Sequence, residues 1–277
     1  VDVLVISNLG YRKRTEHIFK GLLNDHSERL TLKFIHGGKF RRYSRPLMLE
    51  LLDFKTQLLN LKDLFKFMAG FIESKWILVK VKPMVVFCKS GTGALEFCLA
   101  ARKKSPLITH DSDSRLSLTN KILSRFAVLN LFGLPKSIDD IDSDGVVGIP
   151  IGAEFKVSAE VDKLRARSSV GLTNKGWAIL VYGGSLGAKI INEIIFANLE
   201  GLNCLGVHIY HQVGSAEDLE RAEEFRSNLE YPGRYVPFEF SDEISRLYAA
   251  VDLVIARCGA TTIQEIANAG IPSVLIP

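Results

Sequence analysis

The sequence has little cysteine and no long apolar run, and both shortages exclude classes of protein. Its 277 residues include four cysteines, Cys88, Cys98, Cys204 and Cys258, none in a Cys-x-x-Cys spacing. This excludes a disulfide-stapled fold and common zinc patterns, and it indicates reduced thiols in a cytoplasmic protein. No stretch of about 18 uninterrupted apolar residues occurs, so we expect no segment that spans a bilayer. The chain opens on an apolar run without a basic leader, and we therefore expect no secretory signal.

Charge is unevenly divided along the chain, although the formal net charge is only +4. Residues 1–155 carry 24 Lys and Arg against 16 Asp and Glu, whereas residues 156–277 carry 11 against 15. A basic run at 39–45 precedes an apolar and basic stretch at 47–82 that includes Trp76. This pattern suits docking on an anionic membrane surface. The alternative is a helical pair with core aromatics and solvated lysines; nucleic acid is not expected, because no known binding motif accompanies the basic residues.

Short β-branched runs alternate with helix-length segments in both halves, which is typical of parallel sheets covered by helices on both faces. We predict an α/β chain of two Rossmann-like domains, residues 1–155 and 156–277, connected within 153–175. The predicted strands are 2–6, 32–35, 84–88, 106–109, 146–149, 178–182, 207–212, 234–237, 253–256 and 273–276. The predicted helices are 12–23, 47–60, 62–80, 94–103, 115–125, 187–199, 216–229, 241–250 and 261–269.

A glycine-rich turn between a predicted strand and helix is the most informative motif. Gly183, Gly184 and Gly187 keep side chains away from a helix start, where unpaired backbone N–H groups and the helix dipole attract an anion. Ser185 adds a hydroxyl donor. The alternative is that the glycines only allow the helix to pack closely on the sheet.

A second small-residue turn follows a later strand and favours a nucleotide site. Thr261 and Thr262 stand at the predicted helix start, and Glu265 suits either a capping box or a carboxylate that binds a ribose. Both interpretations of Glu265 stay open from the sequence. Because ligands of open parallel sheets bind beyond the carboxyl ends of the strands, we expect a nucleotide-diphosphate cleft that faces the first domain.

Several single residues could carry chemistry, and the sequence favours a structural interpretation for each. His17 follows a basic helical run and is predicted to be a surface residue, and His211 is predicted to be structural. Asp111 and Asp113 could bind a metal with His110, but loop hydrogen bonding is the favoured interpretation.

The motifs together, in their order along the chain, resemble the MurG family, and the match covers nearly the whole chain. The matching segments are 183–192, 211–214, 240–244 and 257–272 in the second half, and 38–43, 82–87, 89–91, 110–113 and 118–121 in the first. This family is the N-acetylglucosaminyltransferase of peptidoglycan lipid II synthesis and has the two-domain GT-B glycosyltransferase fold. A dinucleotide-binding dehydrogenase is disfavoured because the turn lacks the Gly-x-Gly-x-x-Gly spacing.

The resemblance implies transfer of GlcNAc, with inversion, from UDP-GlcNAc to lipid I at the cytoplasmic face of the cell membrane, by a peripheral enzyme. It implies donor contacts from Gly183, Gly184, Ser185, Gly187, Ala188, Asn192, Phe240, Ser241, Thr261, Thr262 and Glu265. It implies acceptor-side positions at Gly91, His110 and Asn120. No cofactor and no metal are expected, because helix dipoles and backbone donors would stabilise the leaving UDP.

Departures from the family pattern leave alternatives open. The family begins with a strand and a glycine-rich loop that ends in a histidine, whereas this chain begins at what resembles the second strand, so the histidine loop is missing. The chain also ends before the family's donor-sugar loop. The catalytic residue is therefore unassigned, and we expect the chain as given not to turn over. Gly152 and Thr92 replace a family arginine and aromatic residue. The alternatives are another GT-B UDP-sugar enzyme, such as a glycolipid synthase or sugar 2-epimerase, or a non-catalytic nucleotide-binding or membrane-surface scaffold.

Overall fold

The chain folds as two α/β units whose strands are parallel. The structure, a computed structural model, describes residues 2–38, 54–89, 93–113, 116–135, 145–152, 155, 160–172, 176–184, 187–241 and 243–277. The units comprise Val1–Gly148 and Ile149–Pro277. Within the described ranges, every helix is too short or too polar to cross a bilayer.

The first unit contains two parallel sheets. In chain order its elements are β1 (Val3–Asn8), a 3-10 turn (Leu9–Tyr11), α1 (Arg12–Ile18), α2 (Lys20–His26), β2 (Leu30–Ile35), α3 (Phe54–Val81), β3 (Val86–Cys88), α4 (Ala94–Ala101), β4 (Leu107–Asp111), α5 (Leu118–Leu123), β5 (Leu129–Phe132) and β6 (Gly145–Val146). Strands β1 and β2 pair with each other, and β3, β4, β5 and β6 form a four-stranded sheet in that order. Buried apolar side chains of β3, β4, α3, α4 and α5 form the core between them.

Most predicted elements of this unit are present, and three predictions were wrong in detail. The two helices predicted at 47–60 and 62–80 are one helix, α3, because no glycine or proline lies near residue 61, where the prediction divided them; residues 47–53 lie outside the described residues. The helix predicted at 12–23 divides at Phe19, whose backbone leaves the helical region. Strand β5 was missed, because four residues carry too short a pattern; its pairing with β4 defines it.

The second unit is a five-stranded parallel sheet. Its elements are α6 (Glu160–Ser169), β7 (Ala178–Tyr182), α7 (Lys189–Cys204), β8 (His208–Gln212), α8 (Ala216–Ser227), a 3-10 turn (Pro232–Arg234), β9 (Tyr235–Phe238), α9 (Ile244–Ala250), β10 (Leu253–Arg257), α10 (Ala260–Ala269) and β11 (Ser273–Ile276). The strand order is β11-β10-β7-β8-β9. All five strands were predicted, whereas α6 lies in the segment predicted to be a connection.

The central strand β7 explains why this sheet is covered on both faces. Ala178 and Leu180 belong to a core with α9 and α10, whereas Ile179 and Val181 belong to a core with α7 and β8. Because side chains alternate across a strand, a continuous apolar run buries both faces. The prediction of parallel-sheet α/β units is confirmed.

A partly buried charge cluster fixes α6 to the amino-terminal end of the sheet. The carboxylate of Asp252 accepts hydrogen bonds from the Ala178 N–H (2.9 Å), the Lys163 ammonium (2.7 Å) and the Arg167 guanidinium (3.1 Å). Arg167 is itself buried and also donates to the carbonyl of Gly176. These contacts hold α6 against the sheet, and no local sequence pattern predicts them.

Candidate functional site

The connectivity of the second unit creates a crevice at the carboxyl ends of β7 and β10. From β7 the chain adds β8 and β9 on one side, then returns to place β10 and β11 on the other. Strands β7 and β10 are adjacent and parallel, with Tyr182 paired to Ala256. Their following loops therefore diverge at a topological switch point, which is where open α/β sheets bind ligands.

The turn after β7 is as compact as its glycines predict. Gly187 has φ of +69°, and a Cβ there would collide with the Val213 carbonyl oxygen and stand 2.9 Å from the Gly214 Cα. A Cβ on Gly183 would collide with the Ala188 nitrogen. The Gly187 N–H donates to the carbonyl of Gly184 (2.8 Å) and closes the turn. Glycine at 183 and 187 is therefore required by close approach of backbone to backbone.

The helix that follows this turn begins without a capping side chain. Ala188 is the N-cap of α7, and its methyl side chain forms no capping hydrogen bond. The 16-residue helix directs its dipole and these amides toward the space beyond β7. Ser185, the predicted hydroxyl donor, lies outside the described residues.

The turn after β10 also leads into a helix that has no capping side chain. Gly259 is the N-cap of α10, again without a capping side chain, so the amides at the start of this ten-residue helix are also available. Thr261 is exposed and Thr262 is partly buried. Two neighbouring strands thus each lead into a helix whose N-terminus presents backbone donors.

The position of Glu265 excludes one of the two interpretations of that residue. Because α10 starts at Ala260, Glu265 stands in the second turn and the first turn holds no acidic residue. The capping-box interpretation is therefore wrong. Glu265 is partly buried and lies beside the hydroxyl of Tyr248 on α9.

Asn192 and His211 form a buried support beneath the first turn. Asn192 is 1% exposed, and its amide donates to the Val213 carbonyl (3.0 Å), the carbonyl that Gly187 approaches. His211 Nε2 donates to the Asn192 amide oxygen (3.1 Å), and Nδ1 accepts from the Tyr235 hydroxyl (2.9 Å). Burial lowers the pKa of His211 to about 4. The structural interpretation of His211 is confirmed. Asn192 holds the backbone at Val213 in place, and its direct contact with the sugar-nucleotide donor stays a prediction.

Phe240 and Ser241 follow β9 at the same end of the sheet. The Phe240 ring is about half exposed, and Ser241 accepts a hydrogen bond from the N–H of Glu243 (3.1 Å). Gln212, at the end of β8, is buried and donates to the Glu239 carbonyl (3.3 Å). The sequence assigns no separate role to Gln212, although the residue lies in the matching segment 211–214.

In the first unit, the structure brings His110 and Asn120 together. Both are 1% exposed. The Asn120 amide donates to the His110 carbonyl (2.9 Å) and to Asp111 Oδ2 (3.0 Å), and His110 Nε2 donates to the Gly148 carbonyl (3.0 Å). These two predicted acceptor-side residues therefore brace the end of β4. Gly91, the third, lies outside the described residues.

The structure also bears on the other residues that were considered singly. Asp111 accepts from the N–H groups of Asp113 and Ser117, which confirms loop hydrogen bonding. His17 is exposed, as predicted. Glu96 is buried and accepts from the Gly38 N–H (2.9 Å), so it ties α4 to the segment that follows β2. Within the described ranges, no group of three or more His, Cys, Asp or Glu side chains is arranged to hold a metal ion.

Comparison with known proteins assigns the chain to a family. Residues 178–277 match the glycosyltransferase family 28 C-terminal domain. The chain is 32% identical, over 98% of its length and 72% of the relative's, to the UDP-N-acetylglucosamine–N-acetylmuramyl-(pentapeptide) pyrophosphoryl-undecaprenol N-acetylglucosamine transferase of Clostridium botulinum strain Loch Maree. The chain belongs to the MurG family. A transferase of the same name from Treponema denticola is 32% identical over 88% of this chain and 61% of that protein.

Solved structures agree with this MurG assignment. The crystal structure of MurG from Acinetobacter baumannii superposes with a TM-score of 0.60 at 25% identity, over 93% of this chain and 67% of that one. A UDP-GlcNAc 2-epimerase from Neisseria meningitidis, at 14% identity, has a TM-score of 0.58 over 99% of this chain and 82% of that one, and shares the fold alone. The predicted family, the GT-B fold class and the glycosyltransferase class are confirmed.

Proposed function

We propose that this MurG-family chain transfers GlcNAc from UDP-GlcNAc to the C4 hydroxyl of the N-acetylmuramyl sugar of an undecaprenyl diphosphate-linked pentapeptide. The Clostridium and Treponema relatives carry this activity in their names. The observation that carries the proposal is the pair of uncapped helix N-termini, α7 and α10, at the switch point of the second sheet. A diphosphate is the ligand chemistry that such paired backbone donors suit.

The proposed donor site assigns a task to each part of the crevice. The turn at 183–188 and the start of α10, with Thr261 and Thr262, bind the diphosphate. Phe240 and Ser241 border the uracil, and Glu265 accepts hydrogen bonds from the ribose hydroxyls. Charge that develops on the departing UDP meets preorganised backbone N–H groups and helix dipoles. We therefore expect UDP binding that does not change when EDTA is added.

A transfer assay tests the proposal. The protein, expressed from its complete reading frame, is incubated with radiolabelled UDP-GlcNAc and the undecaprenyl diphosphate-linked acceptor. We expect label in the lipid phase, with none when diacylglycerol replaces the acceptor and no UDP-ManNAc in either case. Label on diacylglycerol or formation of UDP-ManNAc would instead identify a glycolipid synthase or an epimerase. UDP binding without any transfer would favour the scaffold alternative.

We also propose that α3 docks on an anionic membrane surface. The core interpretation applies to the inward side of this helix, where Leu78 is buried. Its outward side carries an exposed apolar stripe at spacings of three and four residues: Leu58, Leu61, Phe65, Met68, Ile72, Trp76 and Val79. Exposed lysines flank the stripe at positions 62, 66, 75 and 80. An apolar stripe beside lysines suits insertion into the headgroup region of anionic lipids.

Replacing Trp76 with glutamate is expected to weaken vesicle binding about tenfold, because burial of a large apolar side chain is lost. Sedimentation with phosphatidylglycerol vesicles measures this affinity, and phosphatidylcholine vesicles should bind weakly. Trp177 is a matched control, since both tryptophans are 68% exposed and Trp177 lies in the second unit. If W177E lost as much binding as W76E, α3 would not be the docking surface.

A further inference from the structure

Tyr248 is a buried tyrosine beside the donor crevice that neither the sequence motifs nor the proposed contacts use. It is 1% exposed on α9. Its ring packs edge-on against Phe155, with centroids 5.4 Å apart, and against Tyr182, with centroids 6.3 Å apart. Tyr182 is the last residue of β7, directly before the glycine turn. Rings on two sides thus fix where the hydroxyl of Tyr248 points.

The carboxylate of Glu265, on the neighbouring helix α10, lies close to that hydroxyl. Burial raises the pKa of Tyr248, and the nearby negative charge of Glu265 raises it further. No described acceptor meets the hydroxyl at standard hydrogen-bond geometry. A buried hydroxyl without a well-formed bond is costly, and a carboxylate is the strongest acceptor within its reach.

We propose that Tyr248 is a positioning residue that donates its O–H to Glu265 and orients this carboxylate toward the ribose hydroxyls. This inference rests on the proposed donor site, in which Glu265 binds the ribose. A glutamate side chain has several rotatable bonds, and fixing it costs conformational entropy when ligand binds. A rigid tyrosine that already holds one carboxylate oxygen reduces that cost and leaves the other oxygen for the sugar. Tyr248 itself touches no substrate.

Comparing UDP with 2′-deoxy-UDP isolates the ribose contact. In the unmodified protein, calorimetry should show UDP binding about tenfold more tightly than 2′-deoxy-UDP, because one hydrogen bond to a charged group is lost. The Y248F variant keeps the ring packing and removes only the hydroxyl. We expect its UDP affinity to fall about fivefold while its affinity for 2′-deoxy-UDP changes much less, so the ratio between the two ligands shrinks.

A matched control is available in the same unit. Tyr210 is also buried, but its hydroxyl donates to the Val170 carbonyl (2.6 Å), away from Glu265. Y210F should leave the UDP to 2′-deoxy-UDP ratio unchanged even if it lowers stability. A purely structural role for Tyr248 would make Y248F behave like Y210F.

The possible outcomes distinguish a failure of this inference from a failure of the proposed function on which it rests. If the unmodified protein binds both nucleotides equally, the ribose role of Glu265 fails, and the role of Tyr248 fails with it. If the unmodified protein discriminates and Y248F discriminates as strongly, only the positioning role is overturned. Should Y248F not fold, 3-fluorotyrosine at position 248 replaces it as the test. Its more acidic hydroxyl is a stronger donor, so the ratio should increase, and an unchanged ratio would overturn the inference.

Discussion

The Gly187→Ala variant is expected to lose UDP affinity about a hundredfold while the rest of the second unit stays folded. Position 187 needs a positive φ, and an added Cβ would collide with the backbone at Val213 and Gly214. The start of α7 must then shift, and its amides leave the positions where the diphosphate would bind. A displacement of about 1 Å in a binding site can cost about a hundredfold. Calorimetric titration with UDP measures the loss.

Gly184→Ala is the matched control for this prediction. Gly184 also has a positive φ, of +82°, but a Cβ there would meet no atom of the described residues within 4 Å. We expect modest destabilisation of about 1 kcal/mol from backbone strain and a UDP affinity within about threefold of the unmodified protein. Equal losses in both variants would show that conformational strain, not the position of α7, controls binding. Full affinity in G187A would place the nucleotide elsewhere.

Asp252→Asn is expected to lower the free energy of unfolding of the second unit by about 3 kcal/mol, since it leaves the buried Arg167 guanidinium without its counter-charge. Arg167 is 4% exposed and donates to Asp252 across 3.1 Å. Hydrogen exchange of peptides from β7 and β10, followed by mass spectrometry, measures this free energy within the intact chain. The matched control is Glu193→Gln, which removes an exposed, solvent-screened partner of Arg221 and should cost far less stability than Asp252→Asn.

The contribution of Asp252 should also depend on pH. Burial alone would raise the pKa of this carboxyl, but Lys163, the Ala178 N–H and Arg167 together hold it below its ordinary value of 3.8. A lowered pKa in the folded state stabilises at pH values above the ordinary pKa, and this stability is lost as pH falls through the folded pKa. The difference between the unmodified protein and D252N should therefore shrink below about pH 4. A constant difference down to about pH 2 would contradict the assignment of the effect to this ionised carboxylate.

The sequence predicts the parts of the fold that local patterns specify. The strands of the second unit are continuous apolar runs, and β7 buries side chains on both faces, as such runs predict. The glycines at 183 and 187 predict a turn that only glycine can form, and both positions lie against backbone. The resemblance to the MurG family involves motifs in both halves of the chain, and it therefore predicts the family more specifically than a single glycine turn does.

Other features depend on contacts between distant segments and could not be predicted. Helix α6 carries few apolar residues, and Asp252, 85 residues beyond Arg167, anchors it. The role of Glu265 depends on whether α10 begins at Ala260 or Thr262, and boundaries are the least certain part of a sequence pattern. Tyr248 meets Glu265 only because α9 and α10 pack together. Gly91 and Ser185 lie outside the described residues, so their roles stay predictions.

A crystal structure of the protein with UDP tests the donor site most directly. We predict diphosphate oxygens within hydrogen-bond distance of the backbone N–H groups at the starts of α7 and α10, with the ribose hydroxyls donating to Glu265. Electron density for UDP away from the carboxyl ends of β7 and β10, or a ribose that does not meet Glu265, would contradict the proposed site.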